Sequence, residues 1–393
     1  MRDAAGENVS GDGGARPRKV YVEPTNACNL ACATCVRHAW NEPEGYMAWD
    51  TLAAVVEGLA GGDTGGGPSP VGDGSRATGG TVAFMGLGEP LLHPRFADMV
   101  RLVKERGLRA EVTTNALLLD DGLAAGLLEA GLDQLVVSID GASAEAFGRV
   151  RGASLARVVE NVRRLHDRRG ASYASSVRIG IEFVAMRSNI GELPGLRRLA
   201  AQLGASFIIV SNVLAYTPDL LGETLYDHQG SSLSGAHTPA GARWQLPAFD
   251  WDEQVGAALG RALANAGPVS FFGAEPEETR SRCPFVHAGA CAVAWHGGVS
   301  PCPPLLHTYT CYVRGRSKRM VRWEVGRLPD EALAGVWAKP DYAAFRDRVL
   351  RFDFPPYTDC ACELAEANEE DCLGNPHPTC GDCLWARGVV RCA

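Results

Sequence analysis

The chain has 393 residues, enough for two or three domains, and its 46% hydrophobic and 21% charged content is that of a globular protein. A formal net charge of -8 excludes a bulk cationic surface, so no nucleic-acid partner is expected. No apolar run reaches the roughly 20 residues that span a bilayer, and the first residues lack the apolar core of a secretion signal, so a cytoplasmic protein with reduced thiols and no membrane partner is expected.

In chain order, residues 1–18 are rich in Gly, Asp and Ala and read as a disordered tail. A β-rich run followed by a helical run then repeats: 19–25 and 49–59, 81–85 and 94–106, 109–115 and 120–130, 133–139 and 142–167, 177–186 and 190–203, with a sixth strand at 206–213. Such alternation means βαβ units with right-handed crossovers, hence a parallel sheet. Six units are too few for a closed eight-fold barrel, so a partial one is expected over 19–213. A Gly-rich stretch at 61–80 reads as a flexible insertion. Residues 214–282 lose the clear repeat and read as a connecting region. Residues 283–393 carry ten of the thirteen cysteines among Gly and Pro, and such a segment is expected to fold around bound metal.

The chemistry-bearing motifs follow the strands. Just past the first strand stands Cys28-Asn-Leu-Ala-Cys32-Ala-Thr-Cys35. Cubane iron–sulfur clusters normally take four thiolates, so three in one tight loop leave one iron open to a substrate or cosubstrate. A structural zinc loop completed by His38 is the alternative. The later motifs stand at strand ends, where parallel α/β sheets gather their sites. Gly86-Leu-Gly88-Glu89-Pro90 follows the second strand: its glycines let backbone approach a ligand, and its carbonyls or Glu89 suit an ammonium group. Asn115 ends the third strand. Ser138 and Asp140 follow the fourth and suit ribose hydroxyls. Glu182 lies in the fifth, and Asn212 ends the sixth.

The segment from Glu23 to Cys35 resembles the signature loop of the radical S-adenosylmethionine (SAM) enzymes, and Gly86-Leu-Gly88-Glu89-Pro90 resembles that family's Gly-Gly-Glu motif. Val137-Ser138-Ile-Asp140-Gly141, with Arg151-Gly152 downstream, is also similar to the family. The resemblance implies a partial (β/α)6 barrel with a [4Fe–4S] cluster on Cys28, Cys32 and Cys35. It further implies a SAM pocket formed by Gly86, Gly88, Glu89, Asn115, Ser138, Asp140, Glu182 and Asn212. Reductive cleavage of SAM to a 5′-deoxyadenosyl radical, and hydrogen abstraction from a substrate, are the implied chemistry, with reduced ferredoxin or flavodoxin as electron donor.

Cys283-(x13)-Gly297-(x4)-Cys302 resembles the opening half of the SPASM extension, a Cys-rich domain holding one or two auxiliary iron–sulfur clusters. The closing half departs from the usual spacing, reading Cys360-x-Cys362, Cys372, Cys380-x2-Cys383 and Cys392. With Cys283, Cys291 and Cys302 these are the candidate auxiliary ligands, and Cys311 is the first candidate for a spare. A zinc ribbon on Cys380, Cys383 and another pair is the alternative. The tail from Asn368 to Cys392, Val299–Tyr309 and Ser211–Thr217 resemble a narrower group, the radical SAM maturases associated with tungsten-cofactor aldehyde oxidoreductases. That implies a tungsten-type oxidoreductase or its pterin cofactor as partner. A peptide-modifying maturase and a non-catalytic iron–sulfur carrier are the competing readings, and an intact SAM pocket argues against the carrier.

Overall fold

The computed structural model describes residues 16–60, 79–171, 177–226, 243–264, 269–271, 282–313, 315–354, 366–370, 374, 378 and 380–392. The expected tail and Gly-rich insertion fall outside them except for 16–18 and 79–80, as do Cys360, Cys362 and Cys372.

The alternation in the sequence becomes β1 (Lys19–Val22), α1 (Trp49–Ala60), β2 (Thr81–Phe84), α2 (Phe96–Glu105), β3 (Arg109–Thr114), α3 (Asp121–Ala130) and β4 (Gln134–Ser138). Next come α4 (Ala144–Arg151), α5 (Leu155–Ala171), β5 (Arg178–Ala185), α6 (Leu193–Leu203) and β6 (Ala205–Asn212). Leu135, Val136 and Val137 are all buried, so β4 is covered on both faces, as a parallel sheet under helices requires. Helix ends are set by local chemistry. Asp120 accepts the Leu123 N–H at the start of α3, and Ser143 accepts that of Ala146 at the start of α4. Gly131 and Gly152 close those helices at φ 85° and 65°.

The sheet does not stop at six strands. β7 (Arg243–Leu246), α7 (Glu253–Leu263) and β8 (Val269–Phe271) continue it, each strand parallel to the one before. β7, Arg-Trp-Gln-Leu, has no β-branched residue and β8 only three residues, so neither stands out in sequence as β1 and β2 do. After α8 (Pro284–His287), β9 (Ala290–Val293) pairs parallel to β1 on its other edge, with Val20 opposite Cys291. β10 (Gly298–Ser300) follows antiparallel. β11 (Tyr309–Val313) and β12 (Arg316–Met320) form a separate hairpin. β13 (Gly326–Arg327) pairs with β10, and α9 (Leu333–Trp337) and α10 (Pro340–Arg351) follow. The main sheet runs β13-β10-β9-β1-β2-β3-β4-β5-β6-β7-β8; among the described residues its two edges do not pair, so the barrel is open.

The Cys-rich region, expected to fold around bound metal, also shares the apolar core of the barrel. Val293, Val299, Leu333, Val336, Trp337, Phe345 and Val349 are buried in the same core as the barrel strands. The chain from β9 to α10 is thus held by shared apolar packing as well as by β9–β1 hydrogen bonds, not by metal alone. Among the described residues no helix is long and apolar enough to cross a membrane.

Candidate functional site

Cys28, Cys32 and Cys35 lie in the loop leaving β1, and each feels the charge of another of the three. The loop is fastened at both ends. Asn26 accepts the Gly45 N–H at 2.8 Å and donates to Pro43 O, Thr25 donates to Gly45 O, and the Met47 N–H reaches Pro24 O. Its centre is tied to α4, where the Ala33 N–H donates to Val150 O. All three thiols are free, and burial pushes their pKa values up. Thiols kept apart from any disulfide are available to a metal centre, which takes them as thiolates and releases their protons. His38, the zinc alternative's fourth ligand, instead donates Nε2–H to Cys32 O at 2.9 Å.

The glycine loop after β2 packs directly on this one. A Cβ on Gly88 would lie 2.3 Å from Thr25 O and 2.5 Å from Ala27 O; on Gly86 it would collide with Glu23. The glycines therefore let the two loops of the protein approach each other, a task beyond the ligand approach expected of them. Glu89 is buried and already serves three donors: Thr114 Oγ1 at 2.5 Å, the Asn115 N–H at 2.8 Å and the Leu91 N–H at 3.0 Å. Burial raises its pKa against those bonds. It works as a brace between the ends of β2 and β3. Asn115 extends the brace by donating to Asn29 Oδ1 at 2.8 Å, inside the cysteine loop.

Asp140 differs from the ribose contact expected of it. It is fully buried, and its two oxygens take Arg151 Nε at 2.6 Å and the Val184 N–H at 2.9 Å. Arg151 in turn points Nη1 at Cys32 Sγ, 4.0 Å away. Burial disfavours the guanidinium, but Asp140 outweighs it and the pKa is raised, so a fixed positive charge stands beside the cysteine loop. Glu182 sits opposite Ser138 in the β4–β5 register, and its charge is felt by Arg151. Ser138 is half-buried at the end of β4. Asn212 donates Nδ2 to Ala248 O and Val389 O, fastening the C-terminal segment to β6. Its Oδ1 is buried without a partner among the described residues.

The second thiol set comes from distant segments. Cys302 feels the charges of Cys283, Cys383 and Cys380, and Cys380 those of Cys383 and Cys283. Burial pushes Cys283 up to about 12 and Cys302 and Cys380 well above their ordinary value. Cys311 and Cys392 each border Cys383. Cys392 also accepts the Trp385 Nε1–H at 3.1 Å. The structure does not bring Cys291 to this group: it is wholly buried in β9, with Arg346 as its charged neighbour. Its expected ligand role is therefore not met, because strand pairing with β1 fixes it in the core. Among the described residues no group of three or more His, Cys, Asp and Glu is placed to hold a single metal ion, as a zinc site would need.

Sequence reasoning missed one buried constellation. His307 is wholly buried, with Nε2 2.8 Å from Glu23 Oε2 and Nδ1 2.6 Å from Glu42 Oε2. Burial lowers the imidazole pKa, but the two carboxylates outweigh it, so it is raised. Glu23 precedes the cysteine loop and Glu42 follows it, so the C-terminal half clamps both ends. Nothing in the linear order points to a pairing between residues 284 positions apart.

Residues 71–181 match the radical SAM superfamily, and residues 283–363 match the SPASM iron–sulfur cluster-binding domain. The chain is 30% identical over 385 residues to the tungsten-containing aldehyde ferredoxin oxidoreductase cofactor-modifying protein of Pyrococcus furiosus, covering 95% of this chain and 96% of that one. It is 30% identical over 204 residues to the PqqA peptide cyclase of Gluconobacter oxydans, covering 51% of this chain and 50% of that one. In fold it is similar to Streptococcus suis SuiB bound to S-adenosylmethionine, with a TM-score of 0.55 and 14% identity, covering 84% of this chain and 68% of that one. The free thiols gathered at two places fit the iron–sulfur clusters that these domains carry. The chain belongs to the radical SAM superfamily: it is an enzyme with a SPASM extension, whose cofactors are S-adenosylmethionine, a [4Fe–4S] cluster and auxiliary iron–sulfur clusters.

Proposed function

We propose that this enzyme is a maturase acting on a tungsten-type aldehyde oxidoreductase or on the pterin cofactor that it carries, with reduced ferredoxin or flavodoxin as electron donor. The observation that carries the reading is the extent of the match to the Pyrococcus furiosus cofactor-modifying protein, which runs through both halves of each chain. The PqqA peptide cyclase and the fold likeness to SuiB support a peptide-modifying maturase as the second reading, but the former match spans about half of each chain.

In this reading Cys28, Cys32 and Cys35 hold the SAM-binding cluster, and Cys283, Cys302, Cys380 and Cys383 hold an auxiliary one. When bound, cluster and SAM together supply reductive sulfonium cleavage and hydrogen-atom abstraction. The protein's residues orient and shield. Glu89 and Asn115 fix the carbonyls of the glycine loop toward the ammonium group. The Asp140–Arg151 pair places a cation beside Cys32, favouring its thiolate. The segment around Val389, held by Asn212, closes over the end of β6 and excludes water.

The test is deletion of the gene in its host and purification of the oxidoreductase, with activity, tungsten content and cofactor mass measured separately. An inactive enzyme with an altered cofactor or polypeptide mass is the expected result. A fully active enzyme with both unchanged would overturn the reading and leave the peptide-modifying one in front.

A further inference from the structure

Resting on the maturase reading, a cleft between the two thiol sets narrows the substrate class. Its volume is about 550 Å³, and Trp40, Tyr216, Tyr312, Thr308, Thr310 and Arg319 are among the residues that line it. Three chain segments meet there: the stretch just after the cysteine loop, the stretch after β6, and the β11–β12 hairpin. Tyr216 feels the charge of Cys35, and Tyr309, on the same wall, feels those of Cys302 and Cys383. A molecule in this cleft therefore sits between the SAM side of the enzyme and the auxiliary side.

The hairpin explains the chemistry of the wall. Side chains alternate along a strand, and Tyr309, Cys311 and Val313 are buried while Thr310 and Tyr312 are partly open. Thr310 stands opposite Arg319 in the register, so one face of the hairpin presents Thr310, Tyr312 and Arg319 together. The opposite face turns inward, where Lys318 pairs with Asp382. Arg319 is exposed and has no ion pair among the described residues. No carboxylate lines the cleft among the described residues, although the chain carries a net charge of -8. Aromatic faces favour a flat π-system, and a guanidinium flanked by threonine hydroxyls favours a phosphate.

We propose that this cleft is the substrate pocket and that it takes a small planar heteroaromatic ring bearing a phosphate, with the ring against Trp40, Tyr216 and Tyr312 and the phosphate at Arg319. A pterin phosphate and a purine nucleotide share this chemistry, and a folded protein surface does not.

The test is equilibrium binding to the full-length, anaerobically reconstituted enzyme with SAM saturating, so that the SAM pocket is blocked. The probes are neopterin and neopterin phosphate, guanosine and GMP, and inorganic phosphate. At least one phosphate ester should bind about tenfold or more tightly than its phosphate-free partner, and whether the pterin or the purine binds better identifies the ring. Arg319→Gln should bring ester and parent to similar affinity, Arg319→Lys should restore part of the difference, and Tyr312→Leu should weaken both. Iron content equal to wild type shows that each variant is folded. Equal affinity of ester and parent in the wild type, an unchanged preference in Arg319→Gln, or no binding of any ring at millimolar concentration would each overturn the proposal. If no ring binds but gene deletion still inactivates the oxidoreductase, the pocket assignment falls and the maturase reading stands. If a ring phosphate binds and the oxidoreductase is indifferent to the deletion, the reverse holds.

Discussion

Cys28, Cys32 and Cys35 occupy one short loop whose ends are tied by Thr25, Asn26 and Gly45, whereas Cys283, Cys302, Cys380 and Cys383 arrive from segments spread across the C-terminal hundred residues. The first set is preorganised by hydrogen bonds between near neighbours in sequence. The second exists only once β9 has paired with β1 and the tail has folded back on β6. A local loop can keep its thiols together through partial unfolding, while a distributed set loses them when the tertiary fold loosens. The two sets should therefore respond differently to mutation.

The largest effect is expected from replacing Cys28, Cys32 and Cys35 together by Ala. Conversion of SAM to 5′-deoxyadenosine by the dithionite-reduced enzyme should be abolished, while iron on the C-terminal set persists. Chromatography of the nucleoside and iron analysis of the same sample check both halves, and residual cleavage would refute the assignment.

The reciprocal change, Cys302→Ala with Cys383→Ala, should remove about four iron per chain and leave SAM cleavage measurable. Cys291→Ala should leave the iron count unchanged, since that thiol stands apart in β9. If Cys291→Ala loses as much iron as the double variant, the grouping drawn here is wrong.

Legibility in the sequence follows the same division. The cysteine loop, the glycine loop and the Ser138–Asp140 strand end could be read because each is a short contiguous pattern at a strand terminus. β7 and β8 could not, because Arg-Trp-Gln-Leu has no β-branched residue and β8 spans only three residues. Nor could the packing of 290–351 onto the barrel, since composition reports how many apolar residues a segment has but not what covers them. Asp140 shows a subtler limit. Its position at the site was legible, but its partner was not: an acid placed for a ribose hydroxyl and one placed for Arg151 look alike in one dimension.

Arg151 supplies the next sharpening of the comparison. It has a counterpart in the C-terminal set, where the buried Lys318, paired with Asp382, stands near Cys311, Cys380 and Cys383. Arg151→Gln removes the cation beside Cys32 and leaves Asp140 buried without its charge partner. SAM cleavage should fall roughly 10–100-fold, the range for residues that support a metal ligand. C-terminal iron should be unaffected. Restoration of much of the activity in Arg151→Lys would show that charge matters more than the guanidinium's reach to both Asp140 and Cys32; an unaltered rate in Arg151→Gln would remove this residue from the site.

The smallest expected effect concerns the clamp that joins the two regions. His307 comes from the C-terminal half and holds Glu23 and Glu42, which bracket the cysteine loop. Its folded pKa is raised, so its contribution to stability is complete below the ordinary imidazole value and is lost as pH rises through the raised one. Glu42 has a lowered pKa through its bonds to His307 and the Thr308 N–H, so its contribution is complete above the ordinary carboxylate value and is lost as pH falls through the lowered one. The clamp is therefore strongest at mildly acidic to neutral pH and weakens on both sides. His307→Gln keeps hydrogen-bonding capacity but removes the charge, and should lower the melting temperature by a few degrees near pH 6. The gap to wild type should narrow as pH rises, because the wild-type imidazole then loses its proton as well. Melting curves of the two reconstituted proteins across pH 5 to 9 check this; a constant gap over that range would mean that His307 acts by packing against Trp40, whose ring lies 4.6 Å away, and not by its charge.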